Sequence, residues 1–490
     1  MSGISSNLRL YNTLMKREEE FTTLEPKKVR MYTCGPTVYG RPHIGNYSSF
    51  LMADLLRRWL EVKGYSVKHV KNITDVGHLV ADADEGEDKI EKQAKKEKKD
   101  PLDVAKKYEA EFLADEAALR IKEPFARPRA TETIKEMIAT IQTLMKNGNA
   151  YETGDGIYFD VHTFKEYGKL SGNTLDALEA GSRVEVNEEK RHPADFALWK
   201  KCVGDNSKHL LRWTYPEGER IYTEGEDAKA GFPGWHIECT AMSRKFLGEQ
   251  LDIHTGGEDN IFPHHECEIA QSECSGKAPF SRFWLHKRRI DMGELKMSKS
   301  LGNVLSVPDI VAKGFSPLDL RYLFLSVHYR TQLKFMEKGL EDARKARRKI
   351  VEWMSWMTLM KPVTSVDDLL PAETVSSWSD QFADAMNADL NTPAALAIIF
   401  EAMNATRVGK YFDAQGLNET LKFIAMVRKT FGCFEPEEET VPEEVQDLAK
   451  ERDAARLRKD FKESDRLRDE LQSRGFEVRD TKEGTKVRKK

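Results

Sequence analysis

The chain has 490 residues, a formal charge of −4 at pH 7, 40% hydrophobic residues and 32% charged residues. This length predicts two to four domains, and no apolar run is long enough to span a membrane. The first residues show no basic segment followed by an apolar one, so we expect a cytoplasmic protein without a secretory signal. Six cysteines in so long a chain do not indicate a disulfide framework, and ligation or catalysis suits them better. The net charge neither favours nor excludes a nucleic-acid partner, because a local basic face sets phosphate affinity.

The N-terminal part of the sequence predicts a strand–helix–strand unit. Residues 28–34 indicate a short buried strand, residues 43–63 have an apolar stripe at helical spacing that Gly64 can end, and residues 65–73 indicate a second strand. Such a βαβ unit builds a parallel sheet, whose ligands bind at the carboxyl ends of the strands.

The middle of the chain predicts an interruption of this sheet. Residues 82–107 are dense in Asp, Glu and Lys, which favours a solvated helix or flap. Residues 125–215 have the mixed pattern of an insertion, and strands resume at 251–255 and 283–290. We therefore expect two halves of one sheet domain separated by the insertion.

The C-terminal part predicts helices. The helical pattern begins near residue 316 and includes residues 340–357 and 378–430. Residues 434–444, rich in Glu and Pro, predict a linker. The rest predicts a helix, a helix–turn and a short strand over 476–479.

The first chemical motif is PHIGN at residues 42–46, at the start of the first predicted helix. Free backbone N–H groups and the positive end of the helix dipole suit a phosphate there. Gly45 leaves room for a flat base against the backbone, and His43 and Asn46 can donate hydrogen bonds to phosphoryl oxygens. Alone the motif is weak, because a histidine at a helix start is more often a cap.

The second motif is KMSKS at residues 296–300. Lys296 and Lys299, surrounded by serines and glycines, indicate a cationic loop suited to a leaving pyrophosphate. Alone it resembles a common surface sequence. Together with PHIGN, in this order and after a βαβ unit, it predicts ATP activation.

The third motif is a scattered set of metal-binding side chains. Cys34 ends the first strand, Cys239 lies in FPGWHIEC, and His264 and Glu268 lie four apart, on one face of a helix that Pro263 can begin. Two thiolates, an imidazole and a carboxylate are a plausible Zn²⁺ set. Spacing alone would not identify it, because Cys34 is far from Cys239 in the sequence.

Segments along almost the whole chain resemble the cysteinyl-tRNA synthetase family, a class I aminoacyl-tRNA synthetase family. They are LYNTL, YTCGPTVYG, HIGN, NITD, FPGWHIECTAM, GGEDNIFPHHECEIAQSE, KMSKSLGN, DLNTPAAL and KDFKESDRLRDEL. Several long segments in the right order are far more specific than one motif.

The resemblance implies an α/β fold. It consists of a Rossmann-type parallel-sheet catalytic domain with an insertion, a stem-contact fold, a helical bundle and a small C-terminal α+β domain that binds the anticodon. The expected boundaries are 1–124 and 216–315 for the two halves of the catalytic domain and 125–215 for the insertion. They are 316–375 for the stem-contact fold, 376–435 for the helical bundle and 445–490 for the anticodon-binding domain.

The resemblance also assigns roles by position. It implies one zinc ion per chain, bound by Cys34, Cys239, His264 and Glu268, which takes the substrate thiolate. His43 and Asn46 match the ATP-phosphate motif, with Gly45 between them. Lys296 and Lys299 match the loop that stabilises the transition state, with Lys299 the stronger ATP contact. Gly257 and Asp259 match the adenosine side, and Trp235 and Thr74 match the wall of the cysteine pocket.

The sequence departs from the family pattern in two places. The first motif usually ends in His, whereas Asn46 keeps a donor but cannot be protonated. After NITD, the segment VGHLVADADEGE precedes residues 88–90, which indicates an insertion of about a dozen residues. The role of that loop is left open.

The implied reaction is ATP-dependent activation of L-cysteine, with Mg²⁺ accompanying ATP, followed by transfer to the 3′ end of tRNA(Cys). Because a hydrophobic pocket separates near-isosteric side chains by only ~1–3 kcal/mol, zinc selection of the thiolate could replace an editing domain. The insertion is too short to house one. We expect a monomer.

Two alternatives remain open. An ATP-dependent cysteine ligase acting on an amino sugar would use the same zinc and nucleotide motifs but no anticodon module. Residues 449–490, with 15 Lys or Arg against 10 Asp or Glu and with Phe461 and Phe476 to hold unstacked bases, disfavour it. A non-catalytic tRNA-binding relative is disfavoured by the intact motifs.

Overall fold

A computed structural model of the chain describes residues 7–79, 87–181, 189–223, 225–276, 278–291, 305–363, 369–370, 372–406, 412–436, 442–481 and 484–489. The chain divides into two compact units, Met1–Phe434 and Glu435–Lys490. The second unit begins inside the segment predicted as a linker.

A four-stranded parallel sheet forms the centre of the first unit. Its strands lie in the order β12 (Ser281–Lys287), β11 (Leu251–Gly257), β3 (Lys28–Thr33) and β4 (Ser66–Lys71). Helix α1 (Ile44–Val62) connects β3 to β4, which confirms the predicted βαβ unit. A short hairpin of β1 (Arg9–Asn12) and β2 (Arg17–Glu20) precedes the sheet.

Helix α1 forms where its apolar stripe can be buried. Leu51, Leu56 and Trp59 are fully buried in the core that the helix shares with the sheet. Gly64, at φ +80°, follows the helix and turns the chain into β4. The predicted role of Gly64 is therefore confirmed, because a left-handed residue is most easily glycine.

An antiparallel sheet of six strands forms the insertion. The strands lie in the order β5 (Ala150–Glu152), β6 (Gly156–Phe159), β7 (Phe196–Cys202), β10 (Asp227–Pro233), β8 (Arg212–Thr214) and β9 (Arg220–Ile221). The sheet extends past residue 215, where the sequence predicted the insertion to end. Because β10 lies between β7 and β8, the sheet needs this later strand, and such nonlocal pairing leaves no local signal.

The acidic and basic segment after β4 is less solvated than predicted. Residues 80–86 lie outside the described part, but α2 (Lys89–Glu97) and α3 (Pro101–Ala118) follow as regular helices. Ile90 and Phe112 are fully buried. Several of their charged side chains are exposed, but Glu91, Glu109 and Glu116 are buried. The prediction of a solvated helix or flap over 82–107 is therefore confirmed as to the helix, while the solvation holds for only part of its surface.

Helices form the remainder of both units. In the first unit they are α4 (Ile134–Lys146), α5 (Leu175–Gly181), α6 (Trp235–Leu247), α7 (Glu266–Ser275), α8 (Val307–Ala312), α9 (Pro317–Leu325), α10 (Glu337–Leu359), α11 (Ala372–Asn387), α12 (Thr392–Ala405) and α13 (Ala414–Phe431). The second unit contains α14 (Glu443–Leu457), α15 (Phe461–Ser473) and a hairpin of β13 (Phe476–Thr481) and β14 (Gly484–Lys489). The α/β class with a helical C-terminal part and a small α+β unit agrees with the prediction.

The core of the second unit corrects one expectation. Phe476 is 7% exposed and packs with Val445 and Leu471, so it is not available to stack on a base. Phe461, by contrast, is 67% exposed. Among the described residues, no helix is long and apolar enough to cross a membrane.

Candidate active site

A cavity of about 640 Å³ lies at the carboxyl ends of the parallel strands. Cys34 follows β3, Gly257 ends β11 and Lys287 ends β12, and all three line it. This is where ligands of parallel sheets bind. The structure brings together in this lining seven predicted site residues, namely Cys34, His43, Gly45, Asn46, Trp235, Gly257 and Asp259.

The four predicted metal ligands lie together, and one of them, Cys34, lines one wall of the cavity. The candidate ligand atoms of Cys34, Cys239, His264 and Glu268 are all within 4.8 Å of one another, and all four residues are buried. Cys34 Sγ lies 3.8 Å from Cys239 Sγ and 3.5 Å from Glu268 Oε1. His264 Nε2 lies 3.1 Å from the same carboxylate oxygen. We call these four residues the thiol cluster.

The local structure around His264 differs from the prediction. Helix α7 begins at Glu266, not at Pro263, and His264 lies in the preceding π-helical turn Ile261–His265. Phe262 in this turn has extended backbone angles. His264 still contacts Glu268 as expected for residues four apart, because the turn leads directly into α7.

Buried histidines surround the thiol cluster. His254 Nε2 lies 2.9 Å from Glu268 Oε2, and His265 Nε2 lies 3.3 Å from Cys34 Sγ. Cys34, His254, His265 and Glu268 form a second, overlapping set with metal-ligand geometry. His265 in turn contacts His286, at 2.8 Å between Nδ1 and Nε2. Sequence analysis missed these histidines, because the supporting histidines lie on different strands and turns.

The electrostatics of the thiol cluster favour a bound cation. Burial raises the pKa of the Cys34 thiol well above its ordinary value, and burial also raises the pKa of Cys239. The two thiols in this dry site therefore resist deprotonation unless a positive charge compensates them. A divalent metal provides that charge and deprotonates the thiols it binds. Thiolate, imidazole and carboxylate donors in this number fit Zn²⁺.

Trp235 forms the wall beside the thiol cluster. Its ring stacks on His264 with centroids 4.4 Å apart and on His78 with centroids 4.1 Å apart. The Trp235 side chain is half-buried and lines the cavity, at the first turn of α6. The neighbouring His236 contacts His264 at 3.0 Å between their Nδ1 atoms.

Thr74 lies behind this wall. It is 2% exposed and is not among the described residues that line the cavity. Its hydroxyl donates to Glu238 Oε2 at 2.9 Å, and its carbonyl accepts from the Val38 N–H. Thr37, paired with Thr74 through a backbone bridge, is the threonine that lines the cavity.

The opposite wall contains the PHIGN segment. His43 precedes α1, and Asn46 lies in its first turn. The side-chain oxygen of Asn46, Oδ1, accepts a hydrogen bond from the His43 backbone N–H at 3.1 Å, so this side chain caps the helix. This use of Oδ1 leaves the Asn46 amide N–H groups as the donors for a ligand.

Two glycines bring the backbone of β11 close to His265 and Asp259. A Cβ at Gly256 would lie 2.6 Å from His265 Cε1, and one at Gly257 would lie 2.3 Å from Asp259 Oδ1. Asp259 is exposed at the cavity rim, as a contact for an adenosine would require. Lys296 and Lys299 lie outside the described residues.

Sequence analysis assigned no role to several polar side chains of the lining, among them Thr37, His78, Lys89 and Lys287. Thr37 lies in the quoted segment YTCGPTVYG, and His78 and Lys89 lie at the ends of the loop that was left without a role. Lys287 lies at the end of β12, within the strand predicted over 283–290. Thr37 and His78 follow strands of the parallel sheet and Lys287 ends one, a positional signal that the motif search did not use, whereas Lys89 begins α2.

Three segments match known families. Residues 20–345 match the class I (C) catalytic domain of tRNA synthetases, residues 381–435 match the DALR domain, and residues 438–488 match the cysteinyl-tRNA ligase anticodon binding domain. The first match alone covers more than half of the chain.

Full-length relatives and solved structures agree with these matches. The chain is 39% identical to the cysteine–tRNA ligase of Chlorobaculum tepidum, with 99% of each chain covered. It is 39% identical to that of Deinococcus radiodurans, over 98% of this chain and 96% of the relative.

Among solved structures, Agrobacterium radiobacter LeuRS in a ternary complex with tRNA and LeuAMS has a TM-score of 0.59 at 11% identity, covering 84% of this chain and 85% of the other. Mycobacterium tuberculosis methionyl-tRNA synthetase with methionyl-adenylate has a TM-score of 0.55 at 13% identity, covering 82% and 90%. These structures show the shared fold, while the catalytic-domain match and the full-length identity show that the chain belongs to the cysteine–tRNA ligase family of class I aminoacyl-tRNA synthetases.

Proposed function

We propose that this chain activates L-cysteine with ATP and transfers it to the 3′ end of tRNA(Cys). The observation that best supports the proposal is the thiol cluster, whose Cys34 lines the same cavity as the PHIGN segment. A site for a soft sulfur ligand and a site for phosphates are thereby adjacent. Their adjacency is what a cysteine adenylate requires.

Zinc, one ion per chain, is the metal that the thiol cluster would bind. Its donors would be Cys34, Cys239, His264 and Glu268. When bound, zinc selects a thiolate over a serine hydroxyl, because sulfur is the softer ligand and loses its proton more readily on coordination. Trp235 then limits the space around the amino acid.

The residues of the opposite wall would position ATP with its Mg²⁺. The N-terminus of α1 offers backbone N–H groups to phosphate, and His43 and Asn46 add side-chain donors. Gly45 lets the base approach the backbone, and Gly257 and Asp259 contact the adenosine. Lys296 and Lys299 supply positive charge to the departing pyrophosphate.

The reaction would proceed in two steps. A carboxylate oxygen of cysteine attacks the α-phosphorus in line, the bond to the bridging oxygen breaks, and pyrophosphate leaves with that electron pair. A terminal ribose hydroxyl of the tRNA then attacks the adenylate carbonyl and releases AMP, and its proton is lost to solvent or to the leaving phosphate.

The C-terminal parts would bind tRNA. We assign residues 316–375 to a stem-contact fold, residues 376–435 to a helical bundle and residues 445–490 to anticodon binding, with exposed Phe461 as a stacking side chain. The match of residues 438–488 to an anticodon binding domain disfavours the amino-sugar ligase. We infer that the protein is cytoplasmic and a monomer. Light scattering of the purified protein would test the monomeric state.

Cysteine-dependent exchange of pyrophosphate into ATP tests this proposal. The wild-type protein should exchange with cysteine and not with serine, and should charge unfractionated tRNA with cysteine alone. Absence of exchange with every amino acid would instead support a non-catalytic tRNA-binding relative.

Cys239→Ser should lose zinc and cysteine-dependent exchange while still binding ATP, and Cys433→Ser is its matched control. Cys433 is equally buried but lies outside the cavity lining and the thiol cluster. Unchanged zinc content and exchange in Cys239→Ser would contradict the ligand assignment.

A further inference from the structure

The residues that follow NITD and those that begin α2 meet at the cavity. Leu79 and Asp88 pair through a backbone bridge, and the Lys89 N–H donates to the His78 carbonyl at 3.0 Å. His78 and Lys89, which adjoin this bridge, both line the cavity.

His78 and Lys89 make a direct contact. Lys89 Nζ lies 2.6 Å from His78 Nε2, and His78 Nδ1 lies 2.7 Å from the Thr37 hydroxyl. Because an ammonium group only donates, Nε2 must accept, and the ring is neutral with its proton on Nδ1. The Nδ1–H then donates to Thr37. His78 is 8% exposed, so this arrangement is held by packing as well as by hydrogen bonds.

Ring stacking connects this pair to the thiol cluster. His78 lies nearly parallel to Trp235, at 12° with centroids 4.1 Å apart, and Trp235 stacks on His264 at 25°. Lys89 Nζ also lies 5.8 Å from the ring centroid of Tyr39, another residue of the lining. The ammonium group therefore contacts the rings of His78 and Tyr39 beside the amino-acid wall.

Lys89 lines the cavity in which the cysteine carboxylate would meet the α-phosphorus of ATP. Cysteine bound by its sulfur at the thiol cluster has only Cβ and Cα between the sulfur and its carboxylate. That carboxylate must meet the α-phosphorus inside the cavity, between Trp235 and the PHIGN segment. Negative charge increases on the α-phosphoryl oxygens in the transition state, and a preorganised cation there lowers the barrier.

We propose that Lys89 is a further substrate-binding residue, whose ammonium group binds the α-phosphoryl oxygens as the adenylate forms, and that His78 is its positioning residue. This inference rests on the proposed cysteine activation. Lys89 makes no covalent bond and transfers no proton in the step. His78 limits the rotamers of a long, flexible side chain that would otherwise lose entropy on binding.

Steady-state pyrophosphate exchange of the holoenzyme tests the role of Lys89. Lys89→Met should lower kcat about 100-fold, as for removal of one oxyanion donor, with little change in the KM for cysteine. Lys89→Arg keeps the charge and should recover part of the loss. The matched control is Lys92→Met, which removes an exposed lysine from the same helix outside the cavity.

His78→Phe separates positioning from stacking. Phenylalanine keeps a ring against Trp235 but cannot accept from Lys89. We expect a loss of about 10-fold in kcat, because one hydrogen bond is removed. The His78→Phe/Lys89→Met double variant should be no slower than Lys89→Met alone, since the two residues act through one contact.

The outcomes separate the two proposals. A wild-type protein that shows no cysteine-dependent exchange contradicts the proposed function itself. An active wild type with Lys89→Met within two-fold of Lys92→Met in kcat overturns the role of Lys89. A loss in Lys89→Met that appears only as a higher KM, or that Lys89→Arg does not relieve at all, also overturns it. Should Lys89→Met fail to fold, Lys89→Gln and Lys89→Arg provide the same comparison of charge.

Discussion

The two walls of the cavity are built in different ways. The thiol cluster takes its side chains from three separate segments of the chain, and its four residues are at most 7% exposed. The PHIGN wall takes His43, Gly45 and Asn46 from one helix start, where His43 and Gly45 are half-buried and Asn46 is exposed. A soft metal site must exclude water and fix its donors, whereas a site for ATP with Mg²⁺ must admit a large hydrated ligand.

The sharpest test of this contrast disrupts metal binding at the thiol cluster and leaves the PHIGN wall unchanged. Glu268→Ala, or prolonged treatment of the wild type with a zinc chelator, should lower cysteine-dependent exchange by ~10³-fold, about 4 kcal/mol. ATP binding, measured by calorimetry, should persist, because the PHIGN wall does not use the cluster. Equal loss of ATP binding in both samples would show that the walls are not independent. Glu266→Ala would be a poor control, since Glu266 is also buried and accepts from the Ser171 N–H.

The second prediction concerns the histidines behind the cluster. His254→Ala removes the ring that lies 2.9 Å from Glu268 and should weaken zinc binding by ~10–100-fold, the usual effect of a supporting residue. Competition with a chromophoric chelator measures it. An unchanged affinity would mean that burial alone orients Glu268. His162→Ala, in the insertion and outside the cavity lining, is the control.

The third prediction addresses the exposed wall. Asn46→Ala should lower kcat for exchange by about 10-fold, since one charge-assisted donor is lost and solvent can partly replace it. Asn46→Asp keeps the oxygen that caps α1 but places a negative charge near phosphate, so it should be slower than Asn46→Ala. If the alanine variant is instead the slower one, capping and not phosphate binding is the main role of Asn46.

The last prediction concerns the stability of the fold and not catalysis, and its subject is Lys287, an exception to the contrast. It lines the cavity on the ATP side but is only 3% exposed, and burial lowers its pKa to about 8. The ordinary pKa of a lysine is 10.5, so between pH 8 and 10.5 Lys287 is protonated in the unfolded chain but largely deprotonated in the folded one. The free energy of unfolding should therefore rise with pH in this window, by at most about 1.4 kcal/mol per pH unit from this group.

Denaturant unfolding of Lys287→Met measures that rise. The variant should lose the increase between pH 8 and 10.5 and be more stable than the wild type at pH 7, where the buried charge is destabilising. Lys334→Met, which removes an exposed lysine, should keep the wild-type pH dependence. An identical pH profile for wild type and Lys287→Met would show that the ammonium group remains charged across the window.

Local patterns were reliable guides to the first βαβ unit. The apolar stripe of 43–63 and the β-rich segments on either side correspond to α1, β3 and β4, because the periodicity of a helix or strand lies within the segment itself. The same reasoning misplaced the end of the insertion, because β10 pairs with strands distant in sequence. It also overestimated the exposure of the charged helices α2 and α3, which bury Ile90, Val104 and Phe112.

The sequence by itself determined the helix that begins at PHIGN, its end at Gly64 and the types of side chain available for chemistry. With the family resemblance, it also identified the four members of the thiol cluster. Tertiary structure alone decided that Thr74 lies behind Thr37, that Phe476 is buried and that His78 and Lys89 meet in the cavity. The physical reason is that helix starts and periodicity depend on neighbouring residues, whereas a binding site depends on which strand ends packing brings together.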